Sequence, residues 1–206
     1  MSAADLLNGV TLYIARHGET EANAVGRFQG RNDTPLTERG RAQAALVGRT
    51  IAAYLEQHPG LRFVSSPLPR TRATMEIILE TLGQPRDGYD TDERIIEMDI
   101  GEWSGLTVAE SEARDPAFYA RRLLDKWNVA IPGGESYAMV AARAEAFLAD
   151  LRTDTFAVSH GGFGRILRGL YGGLRWQDMS TMPEPQDCAF RLCHGTVGRI
   201  EPDNAA

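Results

Sequence analysis

Three short apolar runs in this chain stop abruptly at residue types that grip and attack phosphate. Residues 11–15 lead into Arg16-His17-Gly18. Residues 61–64 lead into Ser65-Ser66-Pro67 with Arg70 close behind, and residues 156–158 into Ser159-His160-Gly161-Gly162. If these runs are neighbouring parallel strands, two imidazoles, two guanidiniums and glycine N–H groups converge at one sheet edge. Arginine presents a planar fork that holds phosphate oxygens in pairs. Helices starting after Ser66 and His160 would aim the positive ends of their dipoles at the same place. An imidazole at the centre of such a site can attack phosphorus and form a covalent intermediate, with the cations neutralising the equatorial oxygens. A departing alkoxide also needs a proton from a nearby carboxylic acid. On spacing alone, Glu97, Asp99 and Glu102 all qualify, in a loop where carboxylates and glycines alternate.

The elements that must position these groups follow from periodicity. Each apolar run is short and β-rich, as a buried strand is, and ligand sites of open α/β sheets lie at the carboxyl ends of strands. The polar stretch 18–36 is long enough to be a functional loop. A helix is expected from the cap Thr37 to about Gln57, broken by Pro59-Gly60, and another from Pro69 to Leu82, stopped by Gly83. Residues 90–96 read as a weak edge strand. Two short helices are expected at 107–113 and 116–126. Pro132-Gly133-Gly134 is a break, and Ser136 caps a helix carrying Met139, Val140, Ala144, Phe147 and Leu148. A helix at 164–171 follows the third strand, and residues 188–193 and 197–200 form a terminal strand pair joined at His194-Gly195. Strands alternating with helices predict a three-layer α/β/α sandwich with a central, mostly parallel mixed sheet. With no repeats and no linker, residues 1–206 read as a single domain, in which 106–131 is a short helical insertion over the site.

Composition narrows the function. The chain has 206 residues, 43% hydrophobic and 24% charged, with a formal net charge of −6. That balance argues against a nucleic-acid partner while leaving room for a local basic pocket. Lys126 is the only lysine; every other basic side chain apart from histidine is arginine. Cys188 and Cys193 lie five apart in an apolar stretch, a spacing that suits neither a disulfide nor zinc. No stretch reaches the roughly 20 apolar residues that span a membrane, and the N-terminal residues carry no targeting pattern, so the default location is the cytoplasm.

Further motifs, in order along the chain, extend the pattern. Arg16-His17-Gly18-Glu19-Thr20 with Asn23 is followed by Phe28-Gln29-Gly30, then Pro35-Leu36-Thr37 with Gly40. Ser65-Ser66-Pro67-Leu68-Pro69-Arg70 comes next, then Glu97 with Gly101. Pro132-Gly133-Gly134-Glu135-Ser136 and Val158-Ser159-His160-Gly161 complete the set. Together they resemble the histidine phosphatase superfamily, phosphoglycerate-mutase-like branch, over residues 11 to about 170. The resemblance implies that His17 is the phosphorylated nucleophile, that Arg16, Arg70 and His160 bind the transferring phosphoryl group, and that Glu97 is the proton donor and later the base. It implies that Asn23, Gln29, Gly30 and Gly161 line the phosphate pocket, and that no metal or other cofactor takes part.

Two reactions share this residue set, transfer to water by a phosphatase and return to the same substrate by a mutase; a non-catalytic phosphate-binding module is a third reading, disfavoured because every position the resemblance makes catalytic holds the right residue type. Glycolytic mutases of the family carry a lysine soon after the acid loop, where Val108 stands here, His-Gly-Asn where this chain has His160-Gly161-Gly162, and a longer insertion than residues 106–131. The chain therefore resembles the small bacterial phosphatases more, including those acting on α-ribazole phosphate. The expected partner is a small phosphate ester. Trp103 is expected to pack beneath the acid loop. Arg121, Arg122 and Lys126 read as a solvated helix face, and His58 and His194 as surface residues. The terminal strand pair offers an edge on which a homodimer could form.

Overall fold

The computed structural model describes residue 7, residues 9–55 and residues 60–200. His58 lies outside the described residues. Six strands form one sheet in the order β3-β2-β4-β1-β5-β6. They are β1 (Leu12–Arg16), β2 (Arg62–Ser65), β3 (Asp90–Thr91), β4 (Thr155–Ser159), β5 (Ala189–Cys193) and β6 (Thr196–Ile200). β3, β2, β4 and β1 run parallel, and β5 and β6 are antiparallel additions at one side. β1 and β4 are central, so their apolar runs need partners on both faces.

The period of two supplies those partners. Leu12 and Ile14 of β1 and Ala157 of β4 face one helical layer. It is built by α6 (Tyr137–Ala149) and α7 (Gly161–Tyr171) through Val140, Phe147, Phe163, Ile166 and Leu167. Tyr13 and Ala15 of β1, with Phe156 and Val158 of β4, face the other. There α2 (Glu38–Leu55) and α3 (Pro69–Thr81) contribute Val47, Ile51, Met75, Ile78 and Leu79. Each such side chain, fully buried, favours the fold by about 1.5–3 kcal/mol. The arrangement is the expected α/β/α sandwich.

The smaller elements are α1 (Glu21–Ala24), α4 (Val108–Arg114), α5 (Pro116–Leu124) and α8 (Trp176–Met179). Thr20, Thr107, Asp115 and Ser136 each accept a backbone N–H and cap α1, α4, α5 and α6. Three expectations are corrected. The strand expected over 90–96 pairs only at Asp90–Thr91, because Asp92 accepts the Arg94 N–H and turns the chain into a 3-10 turn at Glu93–Ile95. The helix after β4 begins at Gly161, three residues early, with His160 at its N-cap position. α8 lies between residues 171 and 188, where no element is expected from the sequence. No helix among the described residues is long and apolar enough to cross a membrane. Cys188 and Cys193 are free and buried, and His194 is exposed at a left-handed turn.

Candidate active site

The ladder of the central strands continues into the site. The His17 N–H donates to Ser159 O (2.9 Å) and the Ser66 N–H to Val158 O (3.0 Å), which fixes the three strand ends side by side. The chain then turns tightly after His17. A Cβ on Gly18 would lie 2.1 Å from Gly40 O, and one on Gly40 would lie 2.0 Å from Glu19 O. Only two glycines allow this backbone crossing, which presses the His17 loop against the start of α2.

His17 is 2% exposed. Its Nδ1 lies 2.8 Å from Gly18 O. A carbonyl oxygen can only accept, so Nδ1 carries the hydrogen and Nε2 keeps its lone pair. Arg70 Nε donates to that Nε2 at 3.2 Å, a contact only the neutral ring can accept. Burial holds the His17 pKa well below its usual range, and the Arg16 and Arg70 charges push the same way. His17 is therefore a neutral imidazole at pH 7 with the lone pair of Nε2 oriented.

Arg70 is 2% exposed and bonded at every nitrogen. Nη1 donates to Asn32 O (2.8 Å) and Asp33 Oδ1 (2.7 Å), and Nη2 donates to Gly30 O (2.7 Å). Gly30 reaches this position at a φ of +54°, and a Cβ there would lie 2.4 Å from Ile100. Loop 18–36 thus builds the socket for Arg70. Gln29 is committed within the same loop: Thr20 and Asn23 donate to its Oε1, and its Nε2 donates to Thr34.

His160 packs edge-on against His17, with ring centroids 5.3 Å apart. Its Nε2 is 2.7 Å from Ser66 Oγ, and its Nδ1 is buried without a hydrogen-bond partner. Burial lowers its pKa well below the usual range, and the Arg70, Arg16 and Arg143 charges push the same way. Arg16 Nη1 donates to Glu184 O (2.7 Å), while its Nε is buried without a partner. Leaving a buried polar group unsatisfied costs about 1–3 kcal/mol. An oxyanion ligand would relieve that cost at Arg16.

Among the three candidate acids, geometry separates Glu97. It lines a cavity of about 330 Å³ together with Arg16, His17, Asn23, Gln29, Gly30 and Arg70. His160 and Gly161 line a smaller adjoining space behind Arg16. The Glu97 carboxylate accepts the N–H groups of Met98 (2.8 Å), Phe163 (3.0 Å) and Gly162 (3.2 Å). Asp99 instead accepts the Gly101 N–H and pairs with Arg31 (3.5 Å), and Glu102 pairs with exposed Arg114. The Pro-Gly-Gly-Glu-Ser motif braces this loop. A Cβ on Gly101 would lie 2.1 Å from Pro132 O, and Glu135 accepts the Asp99 N–H at 2.8 Å.

The expected dipole contribution takes another form. The Gly162 and Phe163 N–H groups in the first turn of α7 donate to Glu97, and Asp33 accepts the Arg70 N–H at the start of α3 (3.3 Å). Carboxylates cap both helices, so the positive field of the site comes mainly from guanidiniums.

Several residues around the site carried no readable sequence signal. Glu184 pairs with Arg165 and, at 3.7 Å, with Arg16. Burial raises its pKa, opposed by Arg165 and Arg16. Gln186 donates to His17 O (3.2 Å) and Asn23 Oδ1 (3.0 Å), tying the segment before β5 to the His17 loop. The flanking prolines 183 and 185 are the one local hint of a fixed segment. Trp103 packs with Phe28 and Tyr119, and all three line the cavity. Arg121 is exposed, whereas Arg122 is buried and Lys126 partly buried at the cavity wall, against the expectation of a solvated face.

The profile of the histidine phosphatase superfamily (branch 1) matches residues 12–199. The chain is 34% identical over 202 residues to an adenosylcobalamin/alpha-ribazole phosphatase of Salmonella typhimurium, spanning 92% of this chain and 89% of that one. It is 40% identical over 138 residues to a 2,3-bisphosphoglycerate-dependent phosphoglycerate mutase of Methylobacterium, spanning 64% of this chain and 62% of the relative's length. A mycobacterial glucosyl-3-phosphoglycerate phosphatase, solved with VO3, superposes with a TM-score of 0.73 at 27% identity, covering 92% of this chain and 96% of the other. With its profile matched from β1 through β6 and its strand ends converging on one cavity, the chain belongs to the histidine phosphatase superfamily, branch 1.

Proposed function

We propose that this protein is a phosphatase that hydrolyses small cytoplasmic phosphomonoesters through a phosphohistidine at His17. The observation that carries the reading is the tautomer of His17. Its Nδ1–H is tied to Gly18 O, so the Nε2 lone pair is available beside Arg16, Arg70 and Glu97.

In the first step the Nε2 lone pair attacks phosphorus and the P–O bond to the alcohol breaks. The proton on Glu97 passes to the departing oxygen. In the second step Glu97 takes a proton from water, whose oxygen attacks phosphorus. The P–N bond breaks and its electron pair returns to Nε2. Arg16 and Arg70 offset the charge on the equatorial oxygens throughout, so the chemistry requires no metal. His160 supports the site from behind, and Asn23 lies where it can contact the ester.

Water rather than a second hydroxyl is favoured as acceptor by position 162. A side chain there would begin 2.8 Å from Glu97 Oε1. Glycine leaves the carboxylate free of a neighbour that would orient a returning substrate. The test is phosphate release from sugar phosphates, phosphoglycerates and nucleotides, run beside the interconversion of 3- and 2-phosphoglycerate. Phosphate release that disappears in His17→Ala, together with acid-labile phosphate labelling of the wild type, is the expected result. Fast interconversion with little release would make the enzyme a mutase, and equal labelling of His17→Ala would remove His17 from its role.

A further inference from the structure

Two acidic side chains line the main cavity, and the proposed mechanism uses only Glu97. The other, Glu184, stands at the phosphoryl end. Its carboxylate pairs with Arg165 and lies 3.7 Å from Arg16 Nη1. Its backbone oxygen accepts a hydrogen bond from the same Nη1 at 2.7 Å. A Cβ on Gly161 would lie 2.1 Å from Glu184 Oε2, so the carboxylate rests on the backbone that follows His160. The segment that carries Glu184 is fixed on both sides. Arg165 Nη1 donates to Ser180 O (3.2 Å), Arg168 Nη2 to Pro183 O (2.8 Å), and Gln186 to His17 O and Asn23 Oδ1.

A carboxylate beside an anion site opposes binding there by repulsion. Holding Arg16 does not require that charge, because the backbone oxygen of residue 184 already takes Nη1. The charge competes instead. Arg16 and Arg165 both line the cavity, and each keeps a buried Nε without a hydrogen-bond partner. Each guanidinium therefore has capacity left for an oxyanion. A phosphate dianion would share both with Glu184 and be repelled by it. Burial raises the Glu184 pKa, while the Arg165, Arg16 and Arg168 charges favour its ionised form against the opposing charge of Glu97. Affinity that holds ester and released phosphate alike lowers KM without raising kcat, and it delays the departure of product.

We propose that Glu184 is a positioning residue that acts on the phosphoryl group through Arg16 and Arg165: its charge occupies the two guanidiniums in part and keeps the site from retaining inorganic phosphate. The consequence for turnover rests on the phosphatase reading, whereas the effect on phosphate affinity does not.

Glu184→Gln removes the charge, keeps the backbone contact to Arg16 and leaves an oxygen for Arg165. Inorganic phosphate and orthovanadate, titrated by calorimetry, should bind about tenfold or more tightly to Glu184→Gln than to wild type, since one negative charge beside the site is gone. Glu184→Asp keeps the charge and should bind them as wild type does. With 4-nitrophenyl phosphate as substrate, KM and the inhibition constant of phosphate should fall together in Glu184→Gln, with no gain in kcat. A merely structural role gives the opposite sign, because a slackened Arg16 binds phosphate more weakly and raises KM. Should Glu184→Gln fail to fold, Glu184→Ala takes its place with the same two outcomes. If wild type hydrolyses no ester and phosphate still binds more tightly to Glu184→Gln, the phosphatase reading fails and the role of Glu184 stands. Phosphate binding unchanged or weakened once the charge is removed, or tightened as much in Glu184→Asp, would overturn the proposal.

Discussion

Glu97→Gln separates the acid's chemical role from its structural one. The carboxylate accepts three backbone N–H groups, two at Oε1 (Met98 and Phe163) and one at Oε2 (Gly162). A glutamine turned to keep the Oε1 pair places its NH2 against the Gly162 N–H, donor against donor. One charge-assisted hydrogen bond is lost, and it is the longest of the three at 3.2 Å. A loss of about 2 kcal/mol follows, which for a chain of this size is a fall in Tm of about 4–8 °C. On activity the effect should depend on the leaving group. An alkyl phosphate needs the proton, and its turnover should drop by about 10²–10⁴-fold. 4-Nitrophenolate leaves without one, so its first step should survive while the second loses its base. Stopped-flow mixing with 4-nitrophenyl phosphate should then show a burst of nitrophenolate close to the enzyme concentration, followed by slow turnover. Equal losses on alkyl and nitrophenyl esters with no burst would refute the assignment of Glu97 as acid and base. An unchanged Tm would refute its part in holding the start of α7.

Two further outcomes follow from the same geometry. His17 is held neutral in the fold, with its pKa below the unfolded value of about 6.5. Below that pH the unfolded chain binds the extra proton, and each such histidine lowers stability by about 1.4 kcal/mol per pH unit until its folded pKa is reached. Thermal unfolding between pH 7 and pH 5.5 should therefore show Tm falling more steeply in wild type than in His17→Asn, and parallel slopes would show that the depressed titration does not exist. Gly40→Ala places a methyl 2.0 Å from Glu19 O. It should destabilise by about 1–3 kcal/mol and lower kcat by displacing the His17 loop, and a variant with wild-type Tm and kcat would show that the crossing of residues 18 and 40 is not tight.

What was legible in the sequence was whatever one strand and its continuation decide together. Arg16-His17, Ser65-Ser66 and Ser159-His160 each follow an apolar run directly. Once those runs pair as parallel neighbours, adjacent residues must meet. The expected α/β/α layers followed from the same alternation that sends Leu12 and Tyr13 to opposite cores. Partners supplied by distant segments were not legible. Arg122 reads as a residue on a polar helix, yet it is buried because Trp103 and Tyr137 close over it. Glu184 sits in a segment without periodicity and gains its place only through Arg16 and Arg165.

The helix ends show why this distinction matters for function. From sequence, two helices beginning at the strand ends promise two positive dipole ends for the phosphate. In the fold, Asp33 and Glu97 take those N–H groups. A carboxylate at a helix N-terminus is itself favourable, so each acid is fixed by the helix it caps. For Asp33 the consequence is a rigid socket for Arg70, since one oxygen binds both the Arg70 N–H and its Nη1. For Glu97 it is a carboxylate held at the cavity edge by backbone rather than by another side chain. The helices thus act on the phosphate indirectly: they position the acid and the cation between which the phosphoryl group is proposed to move, and the guanidiniums supply the charge.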